Sequence, residues 1–367
     1  MSTDSAASPF MLRFLSHKRH RWVAGAFVLI LIVLLAVQNH EALLPPREMA
    51  TNTSQCADEV DWSRFAYAQY VTNSVYLCNS VMFFESLHRL SSRADRVMMY
   101  PSKMLPGPDG DEEEVDLSKD ARLLIKARDE YNVKLVPITV QRKDNADATW
   151  ADSFTKLLAF NQTQYSRVLS IDSDSLLLQH MDELFLLPPS PVAMPRAYWL
   201  LPDQKVLSSQ LVLLEPSDAE FARVMAAVDA APADDYDMEI VNRLYRDSAL
   251  VLPHRPYDLL TGEFRGGDHA RYLGGGSGGD GDGARWDPAA VYSEAKLVHF
   301  SDWPLPKPWL KTPEAQRREL EPECVARVGE EGKAEGEEDE EKDCTARLIW
   351  NSFYADFKKK RKEVCTV

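Results

Sequence analysis

Two aspartates one residue apart follow a strongly apolar segment near the middle of the chain. The segment from Val168 to Ile171 has the composition of a buried β-strand, and Asp172 and Asp174 lie at its end. Because residues i and i+2 of a strand project to the same side, the two carboxylates point together from the carboxyl end of the strand. Open α/β sheets bind their ligands at this end, and paired carboxylates suit a divalent cation. A polar turn gives the same pattern, so the rest of the chain decides between a site and a turn.

The segments around this strand alternate between strand-like and helix-like patterns. Strands are predicted at 65–71, 96–100, 133–138, 167–171, 191–194 and 210–214, with a further strand-like run at 291–298. Helices are predicted at 76–90, 121–131, 152–161, 219–228 and 238–245. This alternation predicts βαβ units, and therefore an α/β fold with a mixed, mainly parallel sheet.

Acidic residues outnumber basic residues, 57 to 42, which gives a formal net charge of −15. The charge is unevenly spread, with acidic runs at 109–116 and 330–343, where we expect a loop and a disordered insert. Neither run has the pattern of a catalytic site. An acidic chain also argues against sequence-independent binding of nucleic acid.

An uncharged apolar run at 22–37 follows a basic segment near the N-terminus. The run fits either a cleaved signal peptide or a signal anchor. The residues after it, Gln38, Asn39 and His40, form a poor cleavage site, which favours the anchor. With the basic residues on the cytosolic side, the rest of the chain is predicted to face a lumen in type II topology. The run is short for a typical bilayer and suits a thin early-secretory membrane.

Five cysteines fit a luminal, disulfide-forming compartment. Cys324 and Cys344 flank the acidic insert, and we expect a disulfide between them. Cys56 and Cys365 lie near the two ends of the luminal part, whereas Cys78 sits in an apolar helix and is expected to be a buried thiol. The pairing itself cannot be read from the sequence.

The stretch 262–284 is rich in glycine, and we expect it to be a disordered loop. Gly274, Gly276 and Gly279 formally satisfy the dinucleotide-binding fingerprint. That motif needs a preceding strand and a following helix, and the sequence predicts neither here. We therefore interpret the match as chance.

Four blocks of the sequence resemble the glycogenin-type family of retaining glycosyltransferases (family 8), and most closely its fungal Golgi N-acetylglucosaminyltransferase branch. The resemblance covers roughly 65–310. The blocks, in chain order, are Thr72-Asn73-Ser74-Val75-Tyr76, Phe154-Thr155-Lys156-Leu157, Asp172-Ser173-Asp174 with Met181-Asp182-Glu183-Leu184-Phe185, and His299-Phe300 with Lys307-Pro308-Trp309. Four blocks in the right order are a strong signal.

The resemblance implies a Rossmann-like, nucleotide-sugar-binding domain of the GT-A type that uses a UDP-sugar donor. It implies that Thr72, Asn73 and Tyr76 bind the uridine and ribose. Ser173 belongs to the metal motif and is expected beside the donor, and Lys307 is expected to bind its phosphates. The implied compartment is the Golgi, with which two glycosylation sequons at Asn52 and Asn161 are compatible.

The resemblance further implies that Asp172, Asp174 and His299 are the ligands of a divalent cation. Carboxylate and imidazole ligands together favour Mn²⁺ over Ca²⁺. A nucleotide-sugar has a diphosphate leaving group, and a cation bridging it would act as a Lewis acid. Lys307 would add fixed positive charge where negative charge develops. Without the other blocks, a structural role would be favoured for His299.

Lys156 and Asp237 are the predicted catalytic residues, because the family places a lysine and an aspartate beside the donor sugar. On a helix, Lys156 would otherwise be taken for a solvated surface residue. Asp237 begins the segment Asp237-Met238-Glu239, where many relatives have Asp-Gln-Gly. A familiar Asn-Ser-Gly segment is replaced here by Ser208-Ser209-Gln210, and His299 lies two residues further from Lys307 than in glycogenin. These departures leave the donor-sugar and acceptor assignments open.

The predicted organisation is a cytosolic tail (1–21), a transmembrane signal anchor (22–38), a luminal stem (39–63), a GT-A domain (64–310) and a C-terminal extension (311–367) with a disordered insert (329–343). The leading hypothesis is a metal-dependent enzyme that transfers a sugar, expected to be N-acetylglucosamine, to a glycan acceptor with retention of configuration. One alternative uses UDP-glucose or UDP-galactose. Another is a pseudoenzyme that binds a glycan or nucleotide-sugar without turnover.

Overall fold

A computed structural model describes residues 60–105, 117–143, 151–200, 202–274, 285–326 and 342–367. These residues belong almost entirely to one compact unit, Asp61–Val367. The predicted tail and anchor, and the stem up to residue 59, lie outside the described residues, as do most of the acidic insert and Cys56. Within the described ranges, no helix is both long and apolar enough to cross a membrane.

The strands form one large sheet and two small ones. In chain order they are β1 (Phe65–Tyr70), β2 (Asp95–Pro101), β3 (Val133–Ile138), β4 (Arg167–Ile171), β5 (Ser175–Leu177), β6 (Val192–Pro195), β7 (Leu211–Leu214), β8 (Leu250–Leu252), β9 (Leu259–Leu260), β10 (Leu297–His299), β11 (Val325–Ala326) and β12 (Lys342–Asp343). The large sheet has seven strands in the order β3-β2-β1-β4-β7-β6-β8. Its strands are parallel except that β7 runs antiparallel to β4 and β6. The predicted α/β fold with a mixed, mainly parallel sheet is confirmed.

The helices cover both faces of the large sheet. They are α1 (Ser74–Arg89), α2 (Lys119–Tyr131), α3 (Asp218–Asp229), α4 (Asp237–Tyr245), α5 (His254–Tyr257), α6 (Ala270–Leu273), α7 (Pro288–Glu294), α8 (Glu314–Glu319) and α9 (Thr345–Val364), with 3-10 helices that include Ser153–Asn161 and Thr261–Arg265. Tyr67 and Leu169 point into the core under α1, α2 and α9. Ala68 and Val168 point into a second core under Ser153–Asn161, α3 and α4. This alternation along each strand is the period of two that a sheet buried on both faces requires.

A three-stranded sheet beside the carboxyl end of β4 positions the candidate site. In it, β10 pairs antiparallel with β5 and parallel with β9. β5 begins one residue after Asp174, and His299 pairs with Ser175. The small sheet therefore carries His299 back to the strand end that bears the two aspartates.

The C-terminal helix α9 is part of the same fold and is not an appendage. Trp350, Phe353 and Phe357 of α9 are fully buried in the core that also contains α1. A disulfide between Cys78 and Cys365 joins α1 to the residue after α9. The prediction of a buried free thiol at Cys78 is therefore wrong, because its partner comes from the other end of the domain.

The second disulfide joins Cys324 to Cys344, which confirms the predicted bridge across the acidic insert. β11 and β12 lie next to these two cysteines and pair with each other, so the insert leaves and rejoins the fold at one point.

Two predicted segments differ in the structure. The first half of the strand predicted at 291–298 belongs to helix α7, because the Asp287 side chain caps the Ala289 and Ala290 N–H groups and Pro288 occupies the first turn. Only its last residues form a strand, β10.

The first half of the glycine-rich stretch, 262–274, is folded where a disordered loop was predicted. It contains most of the Thr261–Arg265 helix together with α6, held by the buried side chains of Phe264 and Tyr272. Gly262 lies so close to the backbone of Ser301 that an added Cβ would come within 2.8 Å of the Ser301 carbonyl oxygen. Glycine is needed here for close packing. Residues 275–284 lie outside the described residues.

Candidate functional site

Asp172, Asp174 and His299 meet at the carboxyl end of β4. One ligand atom of each residue lies within 4.8 Å of the others, a spacing that a single metal ion can bridge. The Phe300 N–H donates to the Asp174 carbonyl oxygen at 2.9 Å, which fastens the end of β10 to the turn that carries the aspartates. The structure thus brings together all three predicted metal ligands.

Backbone contacts hold Asp172 at the mouth of the sheet. Its N–H donates to the Gln210 carbonyl oxygen at 3.0 Å, which extends the β4–β7 pairing. Its carbonyl oxygen accepts from Ser175 Oγ at 2.7 Å and from Gln69 Nε2 at 3.3 Å. Because these bonds use the backbone, the carboxylate is left to face the site.

Each carboxylate of the pair is matched by a lysine. Lys307 Nζ lies 2.6 Å from Asp174 Oδ2, and His299 Nε2 lies 3.0 Å from Asp174 Oδ1. Lys156 Nζ lies 2.7 Å from Asp172 Oδ1 and 2.8 Å from Asp237 Oδ2. Three carboxylates therefore face two ammonium groups, and a divalent cation would turn this negative centre into one that attracts an anionic diphosphate.

Lys156 is a buried site residue, with only 4% of its surface exposed. Besides the two carboxylates, its ammonium group donates to the Ser209 carbonyl oxygen at 2.9 Å. Burial alone would lower the pKa of Lys156, but the charges of Asp172 and Asp237 raise it above its ordinary value. The lysine is therefore a fixed positive charge, and its surface interpretation is excluded.

The two metal-motif aspartates differ in acidity. Burial raises the pKa of Asp172 to about 6; the charge of Lys156 opposes this, and the charge of Asp174 adds to it. Burial also acts on Asp174, but His299 and Lys307 together hold the pKa of Asp174 well below its ordinary value. Asp174 is thus the permanently ionised member of the pair.

The donor set fits a cation such as Mn²⁺, since it combines hard carboxylate oxygens with one imidazole nitrogen. Nε2 of His299 is the ring nitrogen that faces Asp174. Nδ1 is buried and has no hydrogen-bond partner among the described residues. The imidazole is therefore oriented by β10 and Asp174, without the second hydrogen bond that metal-binding histidines usually make.

Asp237 lies on the first turn of α4, and the residues around it explain the altered segment. The Glu239 carboxylate accepts the Tyr236 N–H at 3.0 Å and so caps α4. The Asn242 amide bridges the Leu207 backbone, donating to its carbonyl oxygen and accepting from its N–H at 2.8 Å each. Asn242 therefore ties α4 to the segment that leads into Ser208 and Ser209.

The predicted uridine-binding residues lie at the start of α1. The Asn73 side chain caps the helix, accepting from the Val75 and Tyr76 N–H groups at 3.0 and 3.3 Å. Its side-chain oxygen therefore caps α1, and its predicted role in binding the donor stays a prediction. The Tyr76 ring meets the edge of Trp309 at 5.5 Å between centroids. Burial and then the charge of Asp174 raise the pKa of Tyr76 to about 12.

The positions of Thr72 and Ser173 follow from their neighbours. Thr72 lies between β1 and the capping Asn73, whose amide is 3.5 Å from its hydroxyl. Ser173 is buried between the two aspartates.

Tyr70 was missed in the sequence. Ala68 of β1 pairs with Ser170 of β4, and the same register continued by two residues places Tyr70 beside Asp172. Burial, followed by the charges of Asp172 and Asp237, raises the pKa of Tyr70 well above its ordinary value, so the phenol stays a hydrogen-bond donor. Its position near the end of the strand predicted at 65–71 was a signal, but the residue beside it depends on the strand order.

The chain has close relatives of known name. The Glucose N-acetyltransferase 1 of Aspergillus fumigatus is 47% identical over 323 residues, which cover 84% of this chain and 78% of the relative. The chain therefore belongs to the Glucose N-acetyltransferase 1 family. The protein of the same name from Gibberella zeae is 57% identical over 309 residues, or 83% of this chain, but this chain spans only 63% of that relative's length. The predicted relationship to a fungal transferase family is confirmed, although no general family model matches the sequence.

Solved glycosyltransferases are among the structures that resemble this chain, at low sequence identity. GlyE of Streptococcus pneumoniae is 13% identical with a TM-score of 0.46, over 82% of this chain and 63% of that one. The galactosyltransferase LgtC, solved with donor and acceptor sugar analogues, is 13% identical with a TM-score of 0.41, over 70% and 99%.

Proposed function

We propose that this protein is a metal-dependent glycosyltransferase that transfers a sugar from a UDP-sugar to a glycan acceptor. The observation that carries the proposal is the convergence of Asp172, Asp174 and His299, flanked by two lysines. These three side chains would hold a divalent cation, Mn²⁺ by preference, which when bound neutralises charge on the donor diphosphate. The donor proposed first is UDP-N-acetylglucosamine, with UDP-glucose and UDP-galactose as alternatives.

Lys307 lies where it can stabilise the leaving group. Its ammonium is held by Asp174 at 2.6 Å and by the Phe300 carbonyl oxygen at 2.5 Å, so it is preorganised beside the proposed phosphate position. A fixed charge needs no reorganisation as the transition state forms, which is why such groups contribute strongly to catalysis.

Retention of configuration is proposed to proceed by front-face substitution. Asp237 is the nearest candidate for a carboxylate nucleophile, but it is buried and bonded to Lys156. A carboxylate in an ion pair is a poor nucleophile, so a covalent intermediate is disfavoured. In the proposed step the acceptor oxygen bonds to the anomeric carbon as the bond from that carbon to the phosphate oxygen breaks. The acceptor proton passes to the departing phosphate, while Lys156 and Asp237 position the donor sugar.

We also propose that the enzyme is a type II Golgi membrane protein with a luminal catalytic domain. This rests on the apolar run at 22–37 and the basic residues before it. The two disulfides of the described part are compatible with an oxidising lumen.

A second candidate function follows from the relatives' printed name, which describes acetyl transfer to glucose. Acetyl transfer from a thioester has no diphosphate leaving group at the reacting centre, and so does not need paired carboxylates, a histidine and two lysines at one point. The geometry therefore favours sugar transfer. Release of UDP from UDP-sugars and release of coenzyme A from acetyl coenzyme A distinguish the two reactions.

The test is UDP release from UDP-N-acetylglucosamine, UDP-glucose and UDP-galactose in the presence of Mn²⁺. Asp174→Asn should lower turnover at least about 100-fold, since it removes a metal ligand and its contacts with His299 and Lys307. Asp247→Asn is the matched control, because Asp247 is a solvent-exposed carboxylate paired only loosely with Arg246. Equal turnover in wild type and Asp174→Asn contradicts the metal assignment. Donor binding without UDP release, with every donor and acceptor, supports the pseudoenzyme instead.

A further inference from the structure

Trp303 is the most exposed large hydrophobic side chain in the part of the chain that the structure describes, with 89% of its surface accessible. It lies in the loop between His299 and Lys307. An indole in water gains none of the free energy of burial, so its exposure beside a candidate site is informative.

The backbone that carries Trp303 is firmly held. Asp302 is buried, and its carboxylate accepts from Trp350 Nε1 at 2.6 Å and from the Tyr354 hydroxyl at 2.9 Å. Arg265 bonds the other Asp302 oxygen at 2.6 Å. On the far side, the Leu305 N–H donates to the Asp302 carbonyl oxygen at 2.7 Å. The exposed ring therefore projects from a fixed support.

Both ends of this loop are attached to the metal motif through Asp174. Trp303 is four residues from His299 and four from Lys307, so its Cα lies within about 14 Å of each of theirs. A chain of two or three sugar units spans such a distance. The other tryptophan of this region, Trp309, already contacts Tyr76 and Phe357. Trp309 thus lies beside Tyr76, which is predicted to bind the uridine, and Trp303 is available for a different ligand.

We propose that the Trp303 indole stacks against a pyranose ring of the glycan acceptor. The inference rests on the proposed sugar transfer and extends it to the acceptor. One face of a hexopyranose carries several axial C–H groups and is apolar, while its hydroxyl groups lie at the edge. A flat, rigid aromatic ring matches that face, and immobilising it costs little conformational entropy because Asp302 has already fixed its backbone.

The experiment compares Trp303→Ala, Trp303→Phe and Leu310→Ala in the full chain. Transfer is measured from the donor that wild type uses, with the methyl glycosides of mannose, glucose and galactose trisaccharides as acceptors, which are long enough to reach Trp303 from the reacting position. Trp303→Ala should raise the acceptor KM about tenfold or more and leave the Kd for UDP within about twofold, since the indole contacts only the acceptor. Trp303→Phe should restore most of the acceptor affinity. Leu310→Ala removes another exposed apolar side chain, 55% accessible, and should leave the acceptor KM unchanged.

Failure of this proposal is distinguishable from failure of the proposed function. An unchanged acceptor KM in Trp303→Ala, with transfer intact, overturns the stacking role alone. If no donor supports transfer, the methyl glycosides are titrated while tryptophan fluorescence is followed. A saturable change that Trp303→Ala abolishes supports sugar binding, and its absence in wild type overturns it. Loss of binding to phosphatidylcholine vesicles in Trp303→Ala, with sugar binding retained, would show a membrane contact and also overturn the proposal.

Discussion

Asp258 offers a quantitative test of the structure that does not depend on the proposed reaction. It is fully buried, directly before β9, and neither carboxyl oxygen makes a well-formed hydrogen bond to a described residue, although the Ser208 hydroxyl lies nearby. Burial raises the pKa of Asp258 from its ordinary value of 3.8 to about 8; Ser208 opposes this rise, and the charge of Asp172 adds to it. We expect Asp258→Asn to stabilise the protein at neutral pH.

The direction and magnitude of this stability change follow from the difference in the pKa of Asp258 between the folded and unfolded states. In the folded state Asp258 keeps its proton up to a pH of about 8, whereas in the unfolded state it loses that proton near 3.8. The wild-type side chain is therefore best tolerated below pH 3.8, and folding stability is lost as pH rises towards 8. The slope is about 1.4 kcal/mol per pH unit, so the loss between pH 5 and pH 7 is about 2–3 kcal/mol. An asparagine cannot ionise and avoids this loss.

The assay is chemical denaturation of wild type and Asp258→Asn at pH 5 and pH 7, with the disulfides intact. The unfolding free energy of Asp258→Asn minus that of wild type should increase by about 2–3 kcal/mol from pH 5 to pH 7. Asp302→Asn is the matched contrast, because Asp302 is also buried but accepts hydrogen bonds from Trp350, Tyr354 and Arg265. It should be destabilising at both pH values. A pH-independent difference for Asp258→Asn would refute the reasoning.

Three further predictions concern the candidate site and the two disulfides. Tyr70→Phe should lower kcat/KM for the UDP-sugar about tenfold with an unchanged melting temperature, because only a hydroxyl donor is lost; unchanged kinetics would remove Tyr70 from the site. Mn²⁺ at 100 times its Kd should stabilise the fold by about 2.7 kcal/mol, and EDTA should reverse the rise in melting temperature; no rise would argue against a metal site. Loss of the Cys78–Cys365 bridge, which closes 287 residues, should cost about 5–6 kcal/mol, against about 3 for the Cys324–Cys344 bridge, which closes 20. Equal losses in denaturation of the two double-serine variants would contradict this order.

The alternating strands and helices of the large sheet could be predicted because the sequence signals for each element are local. The strand 167–171 is rich in β-prone apolar residues, Val168, Leu169 and Ile171, and is buried at every residue in the structure. The helix predicted at 121–131 forms as α2, with Ser118 as its cap. Hydrophobic periodicity and caps report a residue's own element, so these segments could be assigned without tertiary information.

Predictions failed where an interaction joins distant segments. Cys78 was judged from its apolar helix, but its partner, Cys365, is 287 residues away. The lining residue Tyr70 required the order of β1 and β4, which local patterns do not give. In each case tertiary contacts outweighed or added to the local preference.

The candidate site is assembled from segments that are far apart in the chain, and this has consequences for residues that touch no ligand. Asp174 and His299 are 125 residues apart, and their contact depends on β10 lying against β5. Phe300, the next residue, packs against Tyr354 and Phe357 of α9 on its other side. The C-terminal helix therefore packs against the residue that follows the metal-ligand candidate His299. Because packed interiors transmit small displacements, loss of a ring from α9 should weaken metal binding as well as stability.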